Sequence, residues 1–379
     1  MTTQILLPIH RSTSSSGRIV ADIVVVEGDD SDAAWRAAYV PASMHAAWLV
    51  AWALGLAALC LPWPRVVGET RRIVALGDIH GDYAHATAVL RAAGLLHAHH
   101  DAWAGGKTVF VSTGDTVDRG DDTIRLYQLF QRLRNESRAH GGDVIHVLGN
   151  HEMMNAMLDW RYVTPGDVAS FGGMDERRDA MSLHGWLGTE WMQHYQVTTH
   201  VDLLPAADMP LYPTHRASFV HGGITPTFAD MGVDAMNDVG HTLLEKSLAR
   251  RGPLSKAEHA LWSSDGPFWF RGYAQDPAKA ACMMAEQARS SLGVYALIMG
   301  HTPQFTGIRT RCDGRVYIID TGLSRAYGGR PSALDVKSRR WGPCVVSTFS
   351  AVDLSGAHHT LHHAWQCPYL RLGRRPRTT

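Results

Sequence analysis

Short apolar runs recur along the chain, and each stops abruptly on a few polar residues. RRIVALGD (71–78), KTVFVSTGD (107–115) and DVIHVLGN (143–150) have the length and bounding signals of buried strands. Between them lie YAHATAVLRAAGLL and DDTIRLYQLFQRLRNES, which read as helices. Strand followed by helix, repeated, predicts βαβαβ units and an α/β fold. ASFVHGG (217–223), VYALIMGH (294–301) and RVYIIDTG (315–322) extend the pattern. No internal repeat or low-complexity tract interrupts this part.

The polar ends matter more than the runs. In order they deliver Asp78, Asp115, Asn150, His221, His301 and Asp320. In open α/β sheets, ligands bind beyond the carboxyl ends of the strands. One such residue alone reads as a strand cap, but so many metal-capable groups at the same kind of place read as a site.

The chain before residue 70 is different. Residues 1–43 are rich in Ser, Asp and Ala, with STSSSG at 12–17, and are expected to form a disordered extension with a short strand at IVVVEG. The stretch 46–61 then carries no polar side chain. It is slightly short of the roughly 20 residues of a spanning helix. Residues 44–64 are therefore expected to act as a signal peptide or signal anchor, which implies membrane association through 46–61 and a secretory or membrane location. Otherwise the segment is a buried helix and the protein cytoplasmic. Residues 71–365 form the expected catalytic domain and 366–379 a basic tail.

Composition narrows the partners. The chain has 379 residues, 45% hydrophobic, and 36 basic against 36 acidic side chains. A net charge of zero argues against a nucleic-acid partner. The five cysteines are dispersed without a CxxC pair, which excludes zinc-finger and thioredoxin chemistry. They are expected to be buried small hydrophobes, with one bridge between C-terminal cysteines as the alternative in an oxidising compartment.

Asp78, His80, Asp115, Asn150, His221 and His301 form an oxygen and imidazole set that suits two ions of manganese, iron or zinc. Asp78 and His80 can serve one ion, and Asn150, His221 and His301 the other. Asp115, with two oxygens to divide, is the natural bridge. Two such ions clamp an in-line displacement at phosphorus and lower the pKa of a bound water. Arg119, beside the bridge in GDTVDRG, can make a bidentate phosphate contact. His151 follows a ligand directly and is the candidate general acid. Asp118 can hold its ring in one tautomer.

GDIHGD (77–82), GDTVDRG (114–120), GNHE (149–152) and HGG (221–223) together resemble the signature of calcineurin-like metallophosphoesterases, in their phosphoprotein phosphatase branch. The resemblance covers roughly residues 71 to 350. It implies a four-layered α/β/β/α sandwich of two mixed sheets and the same ligand sets, with His151 as proton donor and Asp118 as its partner. LWSSDGPFWFRGY (261–273), IMGHTPQ (298–304) and IDTGLSRAYGG (319–329) are similar to the Shewanella-like phosphatases, and no SAPNY-like stretch follows. That likeness makes Arg271 the second phosphate-binding arginine and sets Asp320 and Tyr327 near the pocket. The implied activity is hydrolysis of phosphotyrosine or phosphoserine/threonine in phosphoproteins by metal-bound water. The alternative is a dinucleoside polyphosphate hydrolase. HAHHD (97–101) fits no motif and reads as a solvated loop.

Overall fold

A computed structural model describes residues 70–205, 215–341 and 344–367, together with two short strands nearer the N-terminus. Contacts divide the chain into two units, Met1–Arg65 and Val66–Thr379. In the first, β1 (Val25–Glu27) pairs antiparallel with β2 (Arg36–Ala38). The first of these falls within IVVVEG, as expected. The apolar stretch 46–61 lies outside the described residues. Among those described, no helix is long and apolar enough to cross a membrane.

The second unit holds two sheets. β3 (Thr70–Leu76), β4 (Val109–Ser112), β5 (Asp143–Val147) and β6 (Tyr195–Gln196) run parallel, in that order. β7 (Thr198–Asp202), β8 (Arg216–Val220), β9 (Ala296–Met299), β10 (Arg309–Arg311) and β11 (Val316–Ile318) form a second sheet, ordered β10-β11-β9-β8-β7. Three long antiparallel strands, β12 (Ser332–Trp341), β13 (Cys344–Asp353) and β14 (His358–Gln366), then complete the first sheet by adding β12 beside β3. Both sheets are mixed. Every strand expected from the sequence is present, as are the two helices, Tyr83–Ala92 and Thr123–Ala139.

Alternation along the strands builds the layers. Ile73, Ala75, Val109 and Val111 meet Ala217, Phe219, Ala296 and Ile298 between the sheets. Val74, Leu76 and Phe110 face the other way, onto Val89, Leu90, Leu126 and Phe130 of the two helices. Val220, Leu297 and Met299 of the second sheet pack outward on Trp191, Leu243 and Ala288, from helices Trp186–His194, Val233–Ala249 and Ala278–Leu292. The result is the expected α/β/β/α sandwich. Three separate apolar layers hold it together, so the strands read as nearly continuous apolar runs.

The cysteines correct the sequence reading. Cys282 pairs with Cys312 and Cys344 with Cys367. Only the second bridge matches the alternative considered. The first joins a helix to the β10–β11 turn, and partners 30 residues apart leave no local signal. Cys60 lies outside the described residues.

Candidate metal centre

Five parallel strand ends and the loops after them meet at one edge. β3 leads to Asp78 and His80, β4 to Asp115, Asp118 and Arg119, and β5 to Asn150 and His151. β8 leads to His221 and β9 to His301. The backbone bends sharply to achieve this. Among the described residues, nine that are not glycine have positive φ, and His80, Asp115, Asp118, Arg119 and His301 are five of them. Such conformations cost about 1–3 kcal/mol each and persist where surrounding packing enforces them.

All six expected ligands are brought together, and none is more than 4% exposed. His80 directs Nδ1 at the Val117 carbonyl, 3.1 Å away. Donating there leaves its Nε2 lone pair facing Asp78 Oδ2 at 3.8 Å and Asp115 Oδ2 at 3.7 Å. His221 likewise donates from Nδ1 to the Thr113 carbonyl at 2.8 Å. Its Nε2 then lies 2.8 Å from Asn150 Oδ1, 3.1 Å from His301 Nδ1 and 3.3 Å from Asp115 Oδ2. Asn150 gives its amide N–H to the Met154 sulfur, so its oxygen is the atom aimed inward. Two potential metal-binding groups result, His80–Asp115–His151 and Asp115–His221–His301, and they share Asp115.

This donor set fits cations. Asn150 Oδ1 and Asp115 Oδ2 both lie within 3.3 Å of His221 Nε2. Burial, with the charges of Asp320 and Asp115, pushes Asp78 well above the usual carboxylate range. Burial likewise raises Asp320 to about 6, and its Oδ2 has no hydrogen-bond partner. Burial lowers His80 to about 4 and His301 well below its ordinary value, so both are neutral ligands. Burial alone would raise Asp115, but His221 and His151 beside it hold it well below the usual range.

His151 belongs to the first of the two potential metal-binding groups and is also held from its far side. Its Nδ1 lies 2.6 Å from Asp118 Oδ2, and its Nε2 lies 3.8 Å from Asp115 Oδ2. Asp118 is in turn held by Asn155 Nδ2 at 2.9 Å. Arg177, fully buried, donates to Asn155 Oδ1 at 2.7 Å and to Asp167 Oδ2 at 2.9 Å. Sequence reasoning missed Asn155, Arg177 and Asp167. Asn155 follows His151 by one helical turn, which was a usable signal. Arg177 and Asp167 carried none, because they reach the site from separate helices.

Glu152 has a defined role here. Its carboxylate accepts the backbone N–H groups of Asp115, Thr116 and Gly149 and the Tyr127 hydroxyl, clasping two ligand loops. Gly149 is required by space. Its φ of −91° and ψ of 173° suit any residue. Space, not a sharp turn, demands glycine, because a Cβ would lie 2.1 Å from Asp115 Oδ1.

The two arginines flank the centre. Arg119 sits between the rings of Tyr162 and Tyr327, 4.4 and 4.9 Å from their centroids. Tyr162 also lies 5.1 Å from the His151 ring, and Tyr327 lies 5.2 Å from His80. Arg271 donates to the His301 carbonyl at 2.6 Å. His97, His99 and His100 are exposed, as a solvated loop requires.

Residues 71–305 match the calcineurin-like phosphoesterase family. The chain belongs to that family. It is accordingly a phosphoesterase, and its fold is the one that the resemblance of its motifs implies. An uncharacterized protein of Schizosaccharomyces pombe is 39% identical over 70% of this chain and 76% of its own length. Shewanella-like protein phosphatase 2 of Arabidopsis thaliana is 27% identical over 71% of this chain and 76% of its own. Among solved structures, the cold-active protein-tyrosine phosphatase of a psychrophilic Shewanella species aligns with a TM-score of 0.60 and 18% identity, covering 94% of this chain and 100% of that one. It shares the fold.

Proposed function

We propose that this phosphoesterase is a dinuclear-metal phosphomonoesterase that hydrolyses phosphotyrosine or phosphoserine/threonine in phosphoproteins. The observation that carries this reading is the buried His151–Asp118 pair set beside the shared Asp115. The name of the Arabidopsis relative, a Shewanella-like protein phosphatase, supports the substrate class.

Asp78, His80 and Asp115 would hold one ion, and Asp115, Asn150, His221 and His301 the other. When bound, the ions supply Lewis acidity and a water of lowered pKa. Arg119 and Arg271 hold the phosphoryl oxygens. Asp118 keeps the His151 Nδ1 proton in place, so Nε2 carries the proton that the leaving oxygen takes. The same clamp could seat a dinucleoside polyphosphate, the competing substrate.

The deciding measurement is turnover with manganese of phosphotyrosine and phosphoserine peptides beside diadenosine tetraphosphate. Peptide hydrolysis at least tenfold faster is expected, and the reverse order would sink the assignment. The paired cysteines also support an oxidising compartment, in keeping with a secretory role for residues 46–61. N-terminal sequencing of the native protein tests that placement, and an intact residue 1 on a cytosolic protein refutes it.

A further inference from the structure

Beside the metal centre opens a cavity of about 670 Å³, and of its lining only Arg271 has a role above. Trp262, Trp269, Phe270, Arg271, Asp265 and Asp276 line it. It shares a wall with the centre. The Trp269 ring stands edge-on to His301 at 5.6 Å, and Trp262 stands 5.2 Å beyond Trp269. Both indoles are half-buried, whereas Phe268 is fully buried and belongs to the core.

Two carboxylates stand in its lining, with Arg271 at the boundary to the centre. Asp265 is exposed and Asp276 half-buried at its edge. The nearby cations keep their charge but turn donors to neighbouring neutral oxygens. Arg271 donates to the His301 carbonyl and Thr302 Oγ1. Arg311 donates to the carbonyl oxygens of Tyr273 and Asp276. Indole rings beside carboxylates suit a guanidinium or ammonium group. An anionic side chain would meet the carboxylates directly.

We propose that this cavity is a substrate subsite for an arginine or lysine close to the phosphorylated residue. The inference rests on the phosphoprotein reading and sharpens it. Arg271 marks the boundary, with the phosphate on the metal side and the cationic side chain on the other. Residues in an extended peptide advance about 3.3 Å each, so a residue two or three places away reaches past the Trp269 ring. Aromatics in such a loop can also serve as core packing or as a wall for an aryl phosphate. The half-buried indoles and flanking carboxylates favour a cation instead.

The test uses the full-length protein with manganese and phosphopeptides in which Arg, Gln or Glu is walked from three residues before to three after the phosphoresidue. At one or two positions, kcat/KM should favour Arg over Gln by about tenfold, the scale of a cation on an aromatic face beside an exposed carboxylate. Raising NaCl from 50 mM to 0.5 M should shrink that preference. Asp265→Asn should reduce the Arg preference, and Asp265→Lys should turn it towards Glu. Equal kcat/KM for all three residues at every position overturns the subsite. So does a preference that both Asp265 substitutions leave intact. If p-nitrophenyl phosphate is hydrolysed but no phosphopeptide is, the phosphoprotein reading fails, and the subsite with it.

Discussion

Asp118 grips His151 from behind, with Oδ2 lying 2.6 Å from the ring Nδ1, and both side chains are buried. The two residues come from different strand ends, and Asp118 reaches its position only with a φ of 69°. Burial alone would lower the His151 pKa, but the Asp115 charge and the Asp118 hydrogen bond outweigh it and raise the value above 6.5. An acid must hold its proton to act. His151→Asn should therefore slow hydrolysis of a phosphoserine peptide by about 10²–10⁴-fold. Metal content, measured by elemental analysis, should be unchanged. Undiminished turnover would refute the acid.

The same pair sets a pH dependence. A histidine whose folded pKa is raised contributes stability fully below its unfolded value, and loses it as pH rises through the folded one. In metal-free protein, Asp118→Asn should lower Tm most near pH 6 and less near pH 9. In the loaded enzyme it should move the alkaline limb of kcat on alkyl phosphates to lower pH. Parallel Tm curves and an unmoved limb would contradict this.

Arg177 supports that grip from a distance. Removing one member of a buried ion pair typically costs about 3–5 kcal/mol, because the partner charge stays buried. Arg177→Met strands Asp167 and releases Asn155, so urea unfolding should show a loss of that order. A change below about 1 kcal/mol, the scale of an exposed pair, would mean that the network is not closed as described.

Gly149→Ala tests space rather than flexibility. The added Cβ would stand 2.1 Å from Asp115 Oδ1 and 2.3 Å from the Asp115 backbone nitrogen. The shared ligand must move. Calorimetry should show weaker manganese binding, while circular dichroism retains the native helix and strand content. Wild-type affinity would show that the loops yield easily.

The two disulfides close segments of 30 and 23 residues. A chain-entropy account gives about 3–4 kcal/mol for each loop of such size. Reduction without denaturation should lower Tm clearly, and a thiol count should rise by two per bridge opened. An unchanged Tm after full reduction would show that packing alone maintains both regions.

Much of the fold was legible because its signals are local. A buried strand declares itself in four to eight apolar residues, and a strand end in the Gly-Asp, Gly-Asn or Gly-His that follows. That is why Asp78, Asp115, Asn150, His221 and His301 could be named from sequence before their convergence was seen. β14 escaped notice because it lies at the sheet edge, where HHTLHHAWQ shows water more than core and loses the apolar run.

Local pattern thus reveals the inner strands of both sheets, the candidate donor residues at their ends and His151 beside them. Tertiary structure alone decided what holds those groups in place. Arg177 beneath Asn155, Glu152 across two loops, Cys282 against Cys312 and the indole cavity behind Arg271 all join residues far apart in the chain. Their energies depend on distance, exclusion of water and the space left for a Cβ, quantities that exist only once the layers have closed.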